Sequence, residues 1–220
     1  MTTYQTPAAA SPRGARLIPA ALIVLGFVPV LAGALRVTEL AAGAQITAAN
    51  ARFFAMPVPV VLHIVGASVF SVVGAFQFAP GLRRRRPRWH RVAGRVLVPS
   101  GLVAALSGLW MTVFFPVPAE DQGLLTAFRL MFGTGMAVSL ALGLAAIRRR
   151  DVARHRAWMT RGYALGLGAG TQAATALVWV ILHGGAAPEG LARQLLLGAS
   201  WAINLAVAEW AVRRGRRVSS

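Results

Sequence analysis

The chain contains no cysteine, and only six of its 220 residues are acidic. It has no lysine either, so all 23 basic residues are arginine. Without cysteine there are no disulfides, thiolate metal sites, cysteine nucleophiles or covalently attached c-type haem. Redox compartment is therefore unreadable. Charged residues make up 13% of the chain, where a soluble domain carries about a quarter. Too little charge remains to cover a water-facing surface. Also missing are a phosphate-binding loop, a zincin motif, a nucleophile elbow and a pair of carboxylates inside an apolar stretch. Hydrolysis and nucleotide-driven transport lose their usual machinery. No catalytic residue and no metal site is assigned, and membrane redox chemistry is the one enzymatic class left open.

What remains is apolar and basic. Hydrophobic residues make up 56% of the chain, the formal net charge is +17, and the mean hydropathy is +0.61. The use of arginine alone, with abundant Ala and Gly, matches a GC-rich prokaryotic genome. So basic a chain invites a nucleic-acid reading. That reading is rejected, because the arginines fall in short runs between apolar segments.

A spanning helix needs about 20 apolar residues. Six segments qualify, at about 17–35, 58–78, 96–115, 124–147, 163–182 and 195–212. In lipid the backbone must satisfy its own hydrogen bonds, so these are helices. The expected fold is an all-α integral membrane bundle of six spans in one domain, residues 13–220. It follows a small, polar, Pro-containing tail over residues 1–12, read as disordered.

Arginine placement orients the bundle. Arg13 and Arg16 precede the first span. Arg83 to Arg86, Arg88, Arg91 and Arg95 lie between the second and third. Arg148 to Arg150, Arg154, Arg156 and Arg161 lie between the fourth and fifth, and Arg213, Arg214, Arg216 and Arg217 end the chain. Arg36, Arg52 and Arg193 lie on the other side, with four of the acids, Glu39, Glu120, Asp121 and Glu189. The positive-inside rule then puts both termini in the cytoplasm of a prokaryote and the protein in its plasma membrane. The cytoplasmic arginines, Arg91, Arg95, Arg156 and Arg161 among them, are expected to meet anionic lipid headgroups. The second-plus-third and fourth-plus-fifth spans also form two hairpins of like orientation, as a parallel internal repeat would.

Four histidines fall at two depths. His63 and His183 belong to the outer part, His90 and His155 to positions just below the inner ends of the third and fifth spans. Two bis-histidine b-type haems stacked across a membrane need that arrangement. On the second span His63, Ala67, Ser71 and Gly74 share a face with room for a flat cofactor. The inner pair sits among arginines, which suit lipid phosphate better than haem iron. Arg129 lies within the fourth span, where an arginine costs up to about 3.5 kcal/mol at mid-membrane. It either faces a polar cavity shared with His63 and His183, fit for an anionic or quinone-like ligand, or snorkels to outer headgroups. Gln77, Thr171 and Gln172 are polar groups within spans and read as interhelical hydrogen-bond donors. Gly162, Gly166 and Gly170 form a small-residue stripe for close packing. Glu209 is read as an ion pair with Arg213, four residues on.

The run from His63 through Gln77-Phe78 and Arg86 to His90-Arg91 and Gly94-Arg95, with Asp151 and His155-Arg156-Ala157-Trp158-Met159-Thr160-Arg161, resembles one uncharacterised bacterial membrane-protein family, domain of unknown function 2306. The resemblance covers roughly the second to fifth spans. It implies a multi-pass membrane protein with cytoplasmic His-Arg motifs and supplies no reaction. It also implies an arginine in the fifth span, where this chain has Thr171, Gln172 and Thr175. Three functions stand at this point: b-type haem binding with transmembrane electron transfer, binding or transport of an anionic or lipid-like ligand, and a ligand-free membrane scaffold or assembly factor.

Overall fold

The computed structural model describes residues 14–116, 118 and 121–217. The tail expected over residues 1–12 lies outside them. Among the described residues every regular element is helical. The α-helices are α1 (Gly14–Ala41), α2 (Ala51–Ala55), α3 (Pro57–Ala75), α4 (Pro80–Arg85), α5 (Pro87–Phe114), α6 (Leu124–Arg148), α7 (Val152–Gly166), α8 (Gly168–Leu182) and α9 (Gly190–Arg217). Among the described residues five helices are long and apolar enough to cross a membrane, six if the bent pair α7 and α8 counts as one broken span.

Proline sets several helix starts. Pro57, Pro80 and Pro87 occupy first turns, where the missing N–H has no partner to lose and φ is already helical. The third span accordingly begins at Pro87, well before the expected position 96. His90 thus lies within the first turns of α5 and not below its end. At α7 the Asp151 carboxylate accepts from the Arg154 N–H at 2.9 Å, a cap that starts the helix at Val152 instead of 163. His155 is therefore also inside a helix.

The fifth span is the main departure. It breaks at Leu167, and its halves meet at 46°. The Ala164 carbonyl, which an unbroken helix would give to the Gly168 N–H, accepts instead from Asn204 Nδ2 on α9 at 3.0 Å. Asn204 Oδ1 in turn accepts from Thr171 Oγ1 at 2.7 Å. One side chain thus satisfies groups on both sides of the break, as irregular backbone at membrane depth requires.

Helix packing closes a ring. α1 packs on α3, α3 on α5, α5 on α6, α6 on α9, α9 on α8, and α8 back on α1. α7 enters the ring and touches α3, α6 and α9. The core lies where it enters: Phe70, Leu97, Ala105, Met136, Leu140, Tyr163, Leu165 and Leu167 are all buried there. Tyr163 donates its hydroxyl to the Ser71 carbonyl at 2.7 Å and packs on Phe70 and Phe78, with ring centroids 5.5 and 4.9 Å away. The glycine stripe serves three neighbours at once. Gly162 meets Leu140, Gly166 meets Phe70, and Gly170 lies on the backbone of α1 at Leu25. Pro29 has no N–H to offer the Leu25 carbonyl, so α8 abuts α1 where that carbonyl is freed. Large apolar side chains such as Val24, Phe27, Leu106, Val113, Leu177 and Ile181 point outward, as a lipid-facing surface requires.

Candidate functional site

The ring encloses a cavity of about 380 Å³ in the half of the bundle away from the arginine-rich connections. Its rim carries Arg52 on α2, Asp121 before α6, and Arg129 in the second turn of α6. Its walls are aromatic, with Phe53, Phe115, Phe132 and Trp201 among them. Phe132 and Trp201 stack at 5.3 Å. His63 and Gln172 supply polar groups deeper inside, above Phe70, Met136 and Leu165. The result is a charged mouth over an apolar, aromatic pocket with two polar groups inside it, the usual composition of a small-molecule site.

Ion pairing fixes the rim. Arg129 Nη2 donates to Asp121 Oδ2 at 2.6 Å, and Arg193 from the start of α9 holds the other carboxylate oxygen. Arg129 therefore lines the cavity and is tied to a buried carboxylate. The Asp121 side chain is only 7% exposed. Burial pushes its carboxyl up, but hydrogen bonds from Arg129 and Arg193 outweigh that and hold it below the ordinary carboxylate value. Arg52 donates to the Pro116 carbonyl at 3.3 Å and lies 4.8 Å over the Phe53 ring. Arg36 reaches the same ring at 5.0 Å while paired with Glu39. Among the described residues, Arg129 and Arg193 share the one Asp121 carboxylate and Arg52 has no carboxylate partner, which leaves a positive surplus.

His63 has a defined tautomer. Its Nδ1 lies 2.8 Å from the Ala104 carbonyl. A carbonyl only accepts, so Nδ1 carries the proton and Nε2 is left as an acceptor. Gly108 makes room for the ring, since a Cβ there would lie 3.1 Å from His63 Cε1. Gln172 Nε2 donates to the Leu197 carbonyl on α9 at 3.2 Å, as expected of an interhelical donor.

Other candidates fall elsewhere. His183 caps the far end of α8, exposed, with Nδ1 on the Trp179 carbonyl and its ring stacked on that indole at 3.9 Å. It does not line the cavity, so His63 and His183 are not brought together there. Gln77 lies in the 3₁₀ turn after α3, at the opposite end from Arg129. Its Nε2 is buried and, among the described residues, has no hydrogen-bond partner, and the same holds for His90 Nδ1. His155 Nδ1 donates to the Gly143 carbonyl at 2.8 Å. His90 lies within electrostatic reach of His155, Arg83 and Arg91, so the structure does bring the inner histidines close. Arg91, Arg95 and Arg156 are exposed at that face. Arg161, expected at headgroups, is instead committed to Glu209 of α9, with Nη2 3.0 Å from Oε2, and lies 4.7 Å over Trp158. Glu209 thus joins two helices, beyond the pairing along one helix that its spacing suggested.

Residue spacing had not singled out Asp121, Arg52, Arg193 or Asn204. Asn204 could have been found by its cost alone, because it is a lone amide in an apolar span. Nothing local marks Asp121, whose partners lie 8 and 72 residues away.

The model of the family described as predicted membrane protein (DUF2306) matches residues 60–212. That is well over half of the chain. The protein belongs to the DUF2306 family. The matched segment runs from α3 to α9 and contains most of the cavity's walls, while Arg52 and Phe53 precede it. No curated protein and no solved structure matches the chain. DUF2306 membership together with the spanning helices makes this a multi-pass membrane protein.

Proposed function

We propose that this DUF2306 protein binds an amphiphile whose polar head accepts hydrogen bonds, anionic or quinone-like, in the cavity between α3, α5, α6 and α8. The observation that carries this is the rim: Arg52 and Arg129 stand over an aromatic pocket with more positive charge than Asp121 neutralises. A cationic mouth draws in such a head, and the apolar walls take the rest. The arginine distribution supports a prokaryotic plasma membrane with both termini cytoplasmic. It also supports contact of Arg91, Arg95 and Arg156 with anionic headgroups on that side. The cavity mouth would then open outward. Binding is the first step of a carrier, so transport belongs to the same reading. A scaffold role has no comparable observation behind it.

The test uses protein purified in neutral detergent, with decanoate and a decyl-substituted benzoquinone as probes. Thermal stabilisation by at least one probe is expected. Arg52→Gln should weaken that affinity about tenfold while leaving the ligand-free melting temperature in place, because Arg52 takes no part in the Asp121 pairs. Neither probe stabilising the wild type would overturn the reading. The haem alternative is supported only by the closeness of His90 and His155, since a single histidine lines the cavity. An absorption spectrum with a Soret band would decide in its favour.

A further inference from the structure

A second cleft, of about 100 Å³, lies between α1, α3 and α8. His63, Ala67, Gly166 and Ala169 line both it and the main cavity. Only one imidazole and three small residues therefore stand between the two spaces. The cleft continues along Gly26 and Gly33 of α1 and Ile64 and Ser68 of α3. Its far wall is thus the helix nearest the chain start, whose outer face is apolar.

His63 stands at this junction with its hydrogen bonding half spent. The Ala104 carbonyl fixes the proton on Nδ1. Among the described residues Nε2 has no hydrogen-bond partner. Water satisfies such a nitrogen in an open cavity, and a ligand that fills the cavity displaces that water. The ligand must then donate in its place or leave a lone pair stranded, which is what gives such sites their discrimination. Arginines at the rim offer only donors. The site therefore asks for both roles in one head: oxygens that accept from Arg52 and Arg129, and an O–H that donates to His63. The aromatic walls favour a planar head, and the small-residue cleft beyond His63 admits an unbranched apolar chain.

On these grounds, and resting on the ligand-binding reading above, we infer that the ligand is a hydroxyl-bearing aromatic amphiphile, a phenol or quinol. Its O–H meets His63 Nε2, and its chain passes His63 into the α1–α3–α8 cleft.

The experiment compares 2-alkylphenols of increasing chain length, whose chain lies beside the O–H, with their methyl ethers, by thermal stabilisation and by direct titration of the detergent-purified protein. The ether keeps the oxygen and the chain but loses the donor. Wild type should bind each phenol at least about tenfold tighter than its ether. His63→Phe keeps a ring in the space. It should abolish the difference between phenol and ether, with the ether binding at least as tightly as to wild type because no lone pair is left stranded, which also shows that the variant is folded. Ser68→Leu narrows the cleft and should flatten the gain with chain length while keeping the phenol preference. Equal binding of phenol and ether by wild type, or a phenol preference that survives in His63→Phe, overturns the role of His63. An undiminished chain-length gain in Ser68→Leu overturns the tail path. If acceptor-only probes stabilise the protein but phenols show no advantage, this inference falls and ligand binding stands. If no probe binds, both fall.

Discussion

At the scale of single residues, Asp121 organises the rim. It takes Arg129 from its own helix start and Arg193 from α9, and so fastens two helices across the cavity mouth. Removing it strands two guanidiniums facing each other. Charged hydrogen bonds contribute about 1.5–3 kcal/mol, so Asp121→Asn should lower stability by an amount in that range in detergent melts. The pH dependence follows from direction. The folded carboxyl titrates below its ordinary value, so its contribution is complete above about pH 4 and is lost as pH falls through the lower folded value. The stability gap between wild type and Asp121→Asn should therefore close on acidification below about pH 4. A gap that stays constant down to pH 2.5 would show that the pairs contribute nothing. Arg129 illustrates how far the sequence reaches at this scale. An arginine inside a span must have a reason, and that much is legible, but which acid answers it depends on a loop folding back over the helix.

At the scale of elements, the break between α7 and α8 is the feature that shapes the cavity. It sets Leu165 and Gly166 on one side of the bend and Ala169 and Gln172 on the other, all lining the same space. Asn204 holds the bend by serving Ala164 and Thr171 together. Asn204→Leu should cost about 1–3 kcal/mol, the penalty of leaving buried polar groups unpaired. It should also weaken probe binding, whereas Val207→Leu on an exposed face of the same helix should change neither. The break could not be read from hydropathy, because 163–182 is apolar enough for one span and the local signs are only glycines at 166, 168 and 170 and the polar Thr171, Gln172 and Thr175. Those glycines mark close packing equally well. Gly170 tests that packing. A side chain there meets the α1 backbone at Leu25, which cannot rotate away, so Gly170→Leu should destabilise by about 3 kcal/mol. Gly94 on α5 has open space around its Cα, and Gly94→Ala should be neutral or stabilise by up to about 1 kcal/mol. Equal effects of the two substitutions in thermal melts would contradict the α1–α8 contact.

At the scale of the whole molecule, the chain is a closed ring of spans with a cavity at one end and most of its arginines at the other. The absence of cysteine makes topology directly measurable. Single cysteines placed at Gly184 and at Arg149 should react differently with a membrane-impermeant maleimide. Gly184→Cys should label in intact cells, and Arg149→Cys only after permeabilisation. The reverse pattern would turn the cavity mouth toward the cytoplasm and would remove the outward-facing binding step from the functional proposal.

Composition and charge placement alone determine that this chain crosses a membrane in several helices. They do so because lipid tolerates so few backbone solutions that a run of some 20 apolar residues has only one outcome. The sequence also supplies His63 and Arg129, since polar groups are costly in that setting and stand out. Tertiary structure decides the rest. It separates His183 from His63, pairs Arg129 with Asp121, turns Arg161 to Glu209, and bends the fifth span around Asn204. Each of these depends on which helices become neighbours. That choice rests on side-chain packing and on hydrogen bonds between residues tens of positions apart, and hydropathy along the chain does not encode it.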